Sequence, residues 1–445
     1  MSEQRLPQVE SLLQEPSIRR YFALISRPVV VSIVRSVLDQ ERTRWQEGTP
    51  LSSSSDVINF IQSECRSYYR KSTIGVINAT GTIIHTNLGR SPLSSHIWEQ
   101  AQRSQTGYCS LEFDLAKGKR GERNTFVNDL LCEATGAQAA CIVNNNASAL
   151  FLVLSAFAKR KEVIVSRGEL VQIGGGFRIP DILKQSGAKL VEIGTTNITT
   201  LDDYTQALSE RTKMVLAVHR SNFALRGFTS NPTTKELRST LPQEVLLYVD
   251  QGSGVLKTPK KGEIPVSAHL AHGADVVSFS CDKAFGSVQA GAIVGNKEII
   301  EKLLKHPLYR ILRPGKTTLS LLEHSLIAFL NKEESRIDSL GNKTIEELFS
   351  LGKEIINDID DQRLQIIKAP MTYGGGSSPD EYFEGVALQF DVGKQSSKAL
   401  RYMRDRDTPI IGIIEDNKVL FHLGTLFDED VSELKVALNE LVEKF

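Results

Sequence analysis

Apolar residues in this chain change their spacing twice, and the changes divide it. Near the N-terminus Leu12, Leu13, Tyr21, Phe22, Ile25, Val29 and Ile33 recur at helical intervals, broken at Pro16 and Pro28. A serine run, Ser52 to Ser55, leads into a second amphipathic stretch, Val57 to Tyr69. From Thr73 to about Pro314 short apolar runs alternate with helical patterns; the runs lie at 140–143, 162–166, 189–193, 214–219, 245–250, 275–280 and 291–294. Near-continuous apolar strands separated by helices predict an α/β fold with a mostly parallel sheet covered on both faces. Ligands of such sheets sit at the carboxyl ends of the strands.

Beyond Pro314, Leu319, Leu322, Leu326 and Phe329 share one stripe of a long helix. From about Thr344 the pattern reads helix, strand (364–368), strand (385–390), helix (396–404), strand (410–414), strand (419–423) and helix (430–443), with a turn at Asp416-Asn417. The expected organisation is a helical N-terminal domain at 1–72, a large α/β domain at 73–315, a connecting helix at 316–343 and a small α+β domain at 344–445.

Composition narrows the function classes. Hydrophobic residues are 40% and charged residues 24%, an ordinary soluble globular balance. Lys plus Arg and Asp plus Glu are both 53, so the formal charge of zero argues against indiscriminate nucleic-acid binding but not against a local basic patch. Residues 1–72 carry nine arginines and one lysine against eight acids. They read either as a solvated helical face or as a small RNA-contacting module, since arginine forks suit phosphates and stacked bases. The five cysteines are odd in number, scattered and without a C-x-x-C pair, as expected of reduced thiols. The N-terminus has no signal architecture, and Asn144 to Asn146 interrupt the longest apolar tract. No membrane span and a cytoplasmic location are therefore expected.

Several motifs fail on inspection. Gly315-Lys316-Thr317 resembles the tail of a P-loop, but the required first glycine is Arg310. Gly252-Ser253-Gly254 follows a strand, yet position 257 is Lys257 and not the third glycine of a dinucleotide fingerprint. His269 and His272 have no carboxylate company, so no metal site is expected. Ser280-Cys281-Asp282-Lys283 fits S-x-x-K, without the partner motifs of an acyl-serine enzyme.

Asp250 and Lys283 are more informative. Asp250 ends one apolar strand and Lys283 follows another, and each is trailed by glycines. An acid and a lysine at neighbouring strand ends suit pyridoxal 5′-phosphate: the lysine amine forms a Schiff base, and the acid keeps the pyridine nitrogen protonated. Asn144-Asn145-Asn146-Ala147-Ser148, where a strand ends and a helix begins, supplies a cradle for the phosphate.

The segments Val76 to Thr82, His85 to Arg90, Ser166 to Glu169, Ile173 to Asp181, His219 to Phe228 and Asp250 to Gly254 resemble bacterial L-seryl-tRNA(Sec) selenium transferases, the selenocysteine synthases. Phe279-Ser280, Asp282-Lys283 and Gln289-Ala290-Gly291 are similar to that family's cofactor-lysine motif. The resemblance covers nearly the whole chain and implies a fold-type I pyridoxal phosphate enzyme. Such an enzyme converts seryl-tRNA(Sec) to selenocysteinyl-tRNA(Sec), by β-elimination to aminoacrylyl-tRNA and addition of selenium from selenophosphate. It implies catalytic Lys283 and Asp250, with Asn145, Asn146, Ala147, Ser148 and Ser280 also around the cofactor. Arg90, Arg123, Arg310 and Arg313 are the candidates for the selenophosphate anion, with Arg120 as a fallback for Arg123. It also implies a homo-oligomer, a decamer built as a pentamer of dimers, and an N-terminal domain that grips the tRNA.

The chain departs from the family pattern at Cys281, where glycine is usual, and at Ala284 to Val288, where Leu-Leu-Gly-Gly-Pro is usual. It departs again at Ile413 and Gly424, where arginine is common. Two other functions compete. One is a small-molecule lyase of the same superfamily, of the amino-sugar-acid ammonia-lyase type, against which the N-terminal extension counts. The other is a non-catalytic RNA-binding scaffold, which would need neither Asp250 nor Lys283.

Overall fold

The computed structural model describes residues 6–173, 176–219, 225, 227–257, 263–374 and 382–445. Gly174, Gly175, residues 220–224 and Arg226, parts of the motifs quoted above, lie outside the described residues. The chain forms two compact units, residues 1–76 and residues 77–445.

The first unit is helical, with α1 (Val9–Gln14), α2 (Arg27–Gln46) and α3 (Ser54–Tyr69) as its main elements. Pro16 and Pro28 start helices instead of ending them: each sits in a first turn, where a missing N–H costs no bond. Ser53 of the serine run caps α3 by accepting from the Asp56 amide. The inward face of α2 is Val30, Val34, Val37 and Leu38, one position on from the periodic Val29 and Ile33, which are half-buried. These residues close over Leu12, Leu13, Val57, Ile61 and Cys65.

In the second unit the helices that matter for the site are α4 (Ser95–Thr106), α5 (Thr125–Thr135), α6 (Asn146–Phe157) and α7 (Lys316–Leu330). All seven expected apolar runs form strands of one sheet. They are β1 (Ala139–Val143), β2 (Glu162–Ser166), β3 (Lys189–Ile193), β4 (Thr212–Val218), β5 (Leu246–Gly252), β6 (Val276–Ser280) and β7 (Gly291–Gly295). Their order is β1-β7-β6-β5-β4-β2-β3. β7 runs antiparallel to both neighbours and the remaining pairs are parallel. β2, β6 and β7 are buried at every position because both faces are covered. Leu150, Val153 and Leu154 of α6 pack on one face, and Leu131 of α5 with Leu319, Leu322 and Leu326 of α7 pack on the other.

The C-terminal layer is an antiparallel sheet of β8 (Leu364–Lys368), β9 (Val386–Phe390), β10 (Ile413–Glu415) and β11 (Lys418–His422), in the order β8-β9-β11-β10. The run expected as one strand at 410–414 divides at Gly412, where a Cβ would lie 2.6 Å from the Leu420 carbonyl. Its first half, Ile410–Ile411, pairs in parallel with Ile77–Asn78. Ile77, Ile83 and Ile84, expected with the large sheet, thus sit in the core of this layer with Phe390, Phe421 and Leu438. Asp416 and Asn417 both have positive φ, 48° and 62°, as a tight hairpin turn requires.

Candidate active site

β5 and β6 run side by side in parallel, so their carboxyl ends emerge together. Asp250 lies near the end of β5, and Lys283 sits in the turn after β6. That turn is pinned at several points. Ala284 N donates to the Ser253 carbonyl at 2.9 Å, Gly286 N to the Lys283 carbonyl at 2.8 Å and Ser287 N to the Cys281 carbonyl at 2.9 Å. Ser91 Oγ adds a bond to the Lys283 carbonyl at 2.7 Å. Gly254 has φ 83°, and a Cβ there would come within 2.5 Å of the Ser280 carbonyl. The glycines expected around both strand ends therefore let two turns approach each other.

Asp250 is 7% exposed. Burial pushes its carboxyl up to about 6, opposed by a hydrogen bond from Asn146 and by the charge of Lys283. Asn146 Nδ2 donates to Asp250 Oδ1 at 2.7 Å. Burial holds the Lys283 amine below its ordinary value; Asp250 opposes this and Arg90 reinforces it. Arg90, with φ 66°, forms an ion pair of 2.5 Å with Asp282, the residue before Lys283.

Asn145 caps α6, its Oδ1 accepting from the Ser148 amide at 2.8 Å. The helix start is thus less open than expected: Ser148's amide is taken, and those of Asn146 and Ala147 are left without an intrahelical acceptor. Gly291 of β7 passes directly beneath, where a Cβ would lie 2.2 Å from the Asn145 carbonyl oxygen. Asn146 Oδ1 and Ser253 Oγ are buried without a hydrogen-bond partner among the described residues. Ser280 is the last residue of β6 and is buried.

Three of the five candidate arginines converge. Arg120, Arg123 and Arg313 all pair with Glu112, at 3.0, 3.2 and 3.5 Å. Arg123 also donates to the Pro314 carbonyl at 2.6 Å, and Asn144 N donates to the Leu312 carbonyl at 2.8 Å. These bonds tie the cluster to the end of β1, just before α6 begins. Arg310 is exposed on the short helix Pro307–Leu312 and stands outside the cluster. Asp282 stands in the cofactor-lysine motif without a role, whereas Glu112 and Ser91 escape a reading of the sequence, because no motif spacing marks an acid eight residues before an arginine or a serine far upstream of Lys283.

The rejected motifs have structural duties. Lys316 Nζ donates to the carbonyls of Ser104 and Gln105 at 3.1 and 3.2 Å, closing the C-terminus of α4. His269 bonds Thr234 Oγ1 at 2.7 Å, and no group of three or more metal-ligating side chains occurs among the described residues. Of the departures, Cys281 fills the core beside Phe279 and Phe285. Ile413 packs against the small cluster of Ala387 and Leu420. At Gly424 a Cβ would lie 2.2 Å from Met371 Sδ, so Met371 occupies the space of any side chain there.

Comparison with known proteins follows the same lines. A family model described as L-seryl-tRNA selenium transferase matches residues 76–427, and one described as selenocysteine synthase N terminal matches residues 4–42. The L-seryl-tRNA(Sec) selenium transferase of Campylobacter fetus subsp. fetus is 39% identical, covering 99% of each chain. That of Campylobacter concisus is 40% identical over 99% of each, and that of Geobacter sulfurreducens 39% over 98% of each. Among solved structures, D-glucosaminate-6-phosphate ammonia-lyase superposes with a TM-score of 0.62 at 17% identity, covering 85% of this chain and 98% of that one. This last likeness is one of fold, and it places the α/β architecture in the fold-type I class. Matched from end to end by these relatives, the chain belongs to the L-seryl-tRNA(Sec) selenium transferase family.

Proposed function

We propose that the protein carries out its family's reaction with Lys283 and Asp250 as catalytic residues and pyridoxal 5′-phosphate as cofactor, replacing the seryl hydroxyl of seryl-tRNA(Sec) with selenium from selenophosphate. The observation that carries this is the buried Asp250 beside the Lys283 turn, held by Asn146 from the helix whose N-terminus opens at the same strand ends. A buried acid without a cationic ligand is costly, and the orphaned Asn146 Oδ1 and Ser253 Oγ add buried polar atoms that a bound polar group would satisfy. These residues fit the cofactor.

When bound, pyridoxal phosphate supplies the electron sink that lets the seryl Cα lose its proton and Cβ lose its hydroxyl. Asp250 would hold the proton on the pyridine nitrogen, and Asn146 would fix the orientation of its carboxylate. Lys283 would anchor the aldehyde carbon. Its lowered proton affinity leaves more of the amine neutral, which suits it both to attach and, once released, to carry the Cα proton on Nζ. The amides of Asn146 and Ala147 at the start of α6, with Asn145, Ser148 and Ser280, would hold the phosphate. Arg90, Arg123 and Arg313 would receive the selenophosphate anion, their planar forks matching its oxygens.

The residues 1–72 would bind the tRNA. The same reading carries cytoplasmic location and assembly as a decamer of five dimers; the exposed Tyr108, Leu115 and Phe126 favour a surface covered by other subunits. No helix among the described residues is long and apolar enough to cross a membrane. The deciding experiment incubates the purified protein with seryl-tRNA(Sec) and selenophosphate and identifies the amino acid released by mild deacylation. Selenocysteine is expected from the wild type and serine alone from Lys283→Ala, which should still bind the tRNA. Serine alone from the pyridoxal phosphate-loaded wild type overturns the proposal.

A further inference from the structure

Glu112 precedes the short hairpin in which Phe113–Asp114 pairs with Lys119–Arg120, and its two carboxylate oxygens serve three guanidinium groups. Oε2 takes Arg120, while Oε1 takes both Arg123 and Arg313. The three cations come from different places: the hairpin, the loop before α5 and the segment before α7. Three like charges do not gather in a partly buried place without a counter-charge. Their side chains are 76%, 16% and 25% exposed, so Arg123 and Arg313 are the inner pair and Arg120 the outer one. Arg123 has a second acceptor in the Pro314 carbonyl, and its Nε is buried without a hydrogen-bond partner among the described residues. Arg313 faces the same carboxylate as an ion pair at 3.5 Å. One carboxylate against three guanidiniums leaves the cluster with excess positive charge beside the end of β1.

We propose that Glu112 is the positioning residue of the selenium-donor pocket: its carboxylate gathers Arg123 and Arg313 into one preformed receptor for a tetrahedral oxyanion. This rests on the reading of those arginines as the donor site. Glu112 touches no reacting atom. It sets the geometry of the forks, and preorganised forks lose less entropy when the anion arrives. Without it, Arg123 stays on the Pro314 carbonyl, whereas Arg313 and Arg120 swing away from each other and from Arg123.

The test is steady-state selenocysteine formation on the full-length holoenzyme at saturating seryl-tRNA(Sec), with selenophosphate varied. Glu112→Gln should raise the KM for selenophosphate about tenfold or more, with kcat and the KM for seryl-tRNA(Sec) little changed, as loss of ground-state binding predicts. Glu112→Asp, which restores the charge, should recover part of the loss. Retained cofactor absorbance and an unchanged melting temperature show that each variant is folded. Two results overturn the inference alone. One is a fall in the donor KM for Glu112→Gln, which would make the carboxylate a competitor of the anion. The other is an unmoved donor KM in Glu112→Gln while Arg313→Lys raises it. If Arg123→Lys and Arg313→Lys weaken pyridoxal phosphate retention and leave the donor KM alone, the cluster serves the cofactor phosphate, and the reading beneath the inference fails with it.

Discussion

Asp250 shows how one residue can burden the folded chain and yet suit the role proposed for it. Its carboxyl, pushed up to about 6 by burial, binds its proton more tightly in the folded chain than in the unfolded one. Below about pH 3 both forms are protonated and burial adds no penalty; the penalty grows as pH rises from there through 6 and is constant well above it, at up to roughly 3 kcal/mol. Asp250→Asn should therefore raise the melting temperature of the cofactor-stripped protein at pH 8 and leave it nearly unmoved near pH 3, while abolishing tight pyridoxal phosphate binding. Thermal melts of stripped wild type and variant at the two pH values check this; an equal shift at both would mean that charge burial is not the cause. Lys283 complements the acid, because the burial that raises the one lowers the other. Both residues stand out in the sequence, since Asp250 ends one apolar strand, Lys283 follows another and each precedes a glycine turn. Asn146 as the donor that fixes Asp250 does not, for the two lie 104 residues apart and only the fold joins them.

At the scale of elements, the site depends on how closely two turns and a strand can approach one another. β7, the antiparallel member of the large sheet, brings Gly291 against the carbonyl of Asn145 at the start of α6. Gly291→Ala puts a methyl group where the gap is 2.2 Å, so the Asn145-Asn146 turn must move. The expected result is a folded protein whose pyridoxal phosphate dissociation constant rises about tenfold or more, because the cradle amides lose their aim. Cofactor titration followed by absorbance measures it, with circular dichroism to confirm the fold; unaltered affinity would show that the turn is free to shift. The Gln289-Ala290-Gly291 motif was visible in the sequence, but the reason for its glycine was not. Similarly, the helical period of α2 was legible while its inward face was not. Apolar residues at both 29–30 and 33–34 give a stripe wide enough to place either set inward, and only packing against α1 and α3 chooses.

For the whole molecule, the division at residues 76 and 77 invites a direct separation of tasks. Residues 77–445 contain the large sheet, the C-terminal layer and every residue assigned to the cofactor. Removing residues 1–76 should leave a protein that still takes up pyridoxal phosphate, with its affinity for the tRNA reduced by at least about tenfold, as expected when a phosphate-contacting module is lost. Filter binding at fixed salt, alongside cofactor absorbance, separates the two; undiminished tRNA affinity would move the recognition surface into the larger unit. Zero net charge is consistent with such an arrangement, because selective recognition needs arginines placed locally and not an excess overall. The sequence by itself determined the strands, the fold class, the family and the acid–lysine pair, because burial on both faces dictates continuous apolar runs and the motifs lie in contiguous turns. Tertiary structure alone decided which distant groups meet. Glu112 gathers arginines from three segments, Ser91 holds the lysine turn, and the strand at Ile77–Asn78 joins the C-terminal layer. Those contacts arise from chain crossings at long separation, which local hydrophobic periodicity does not encode.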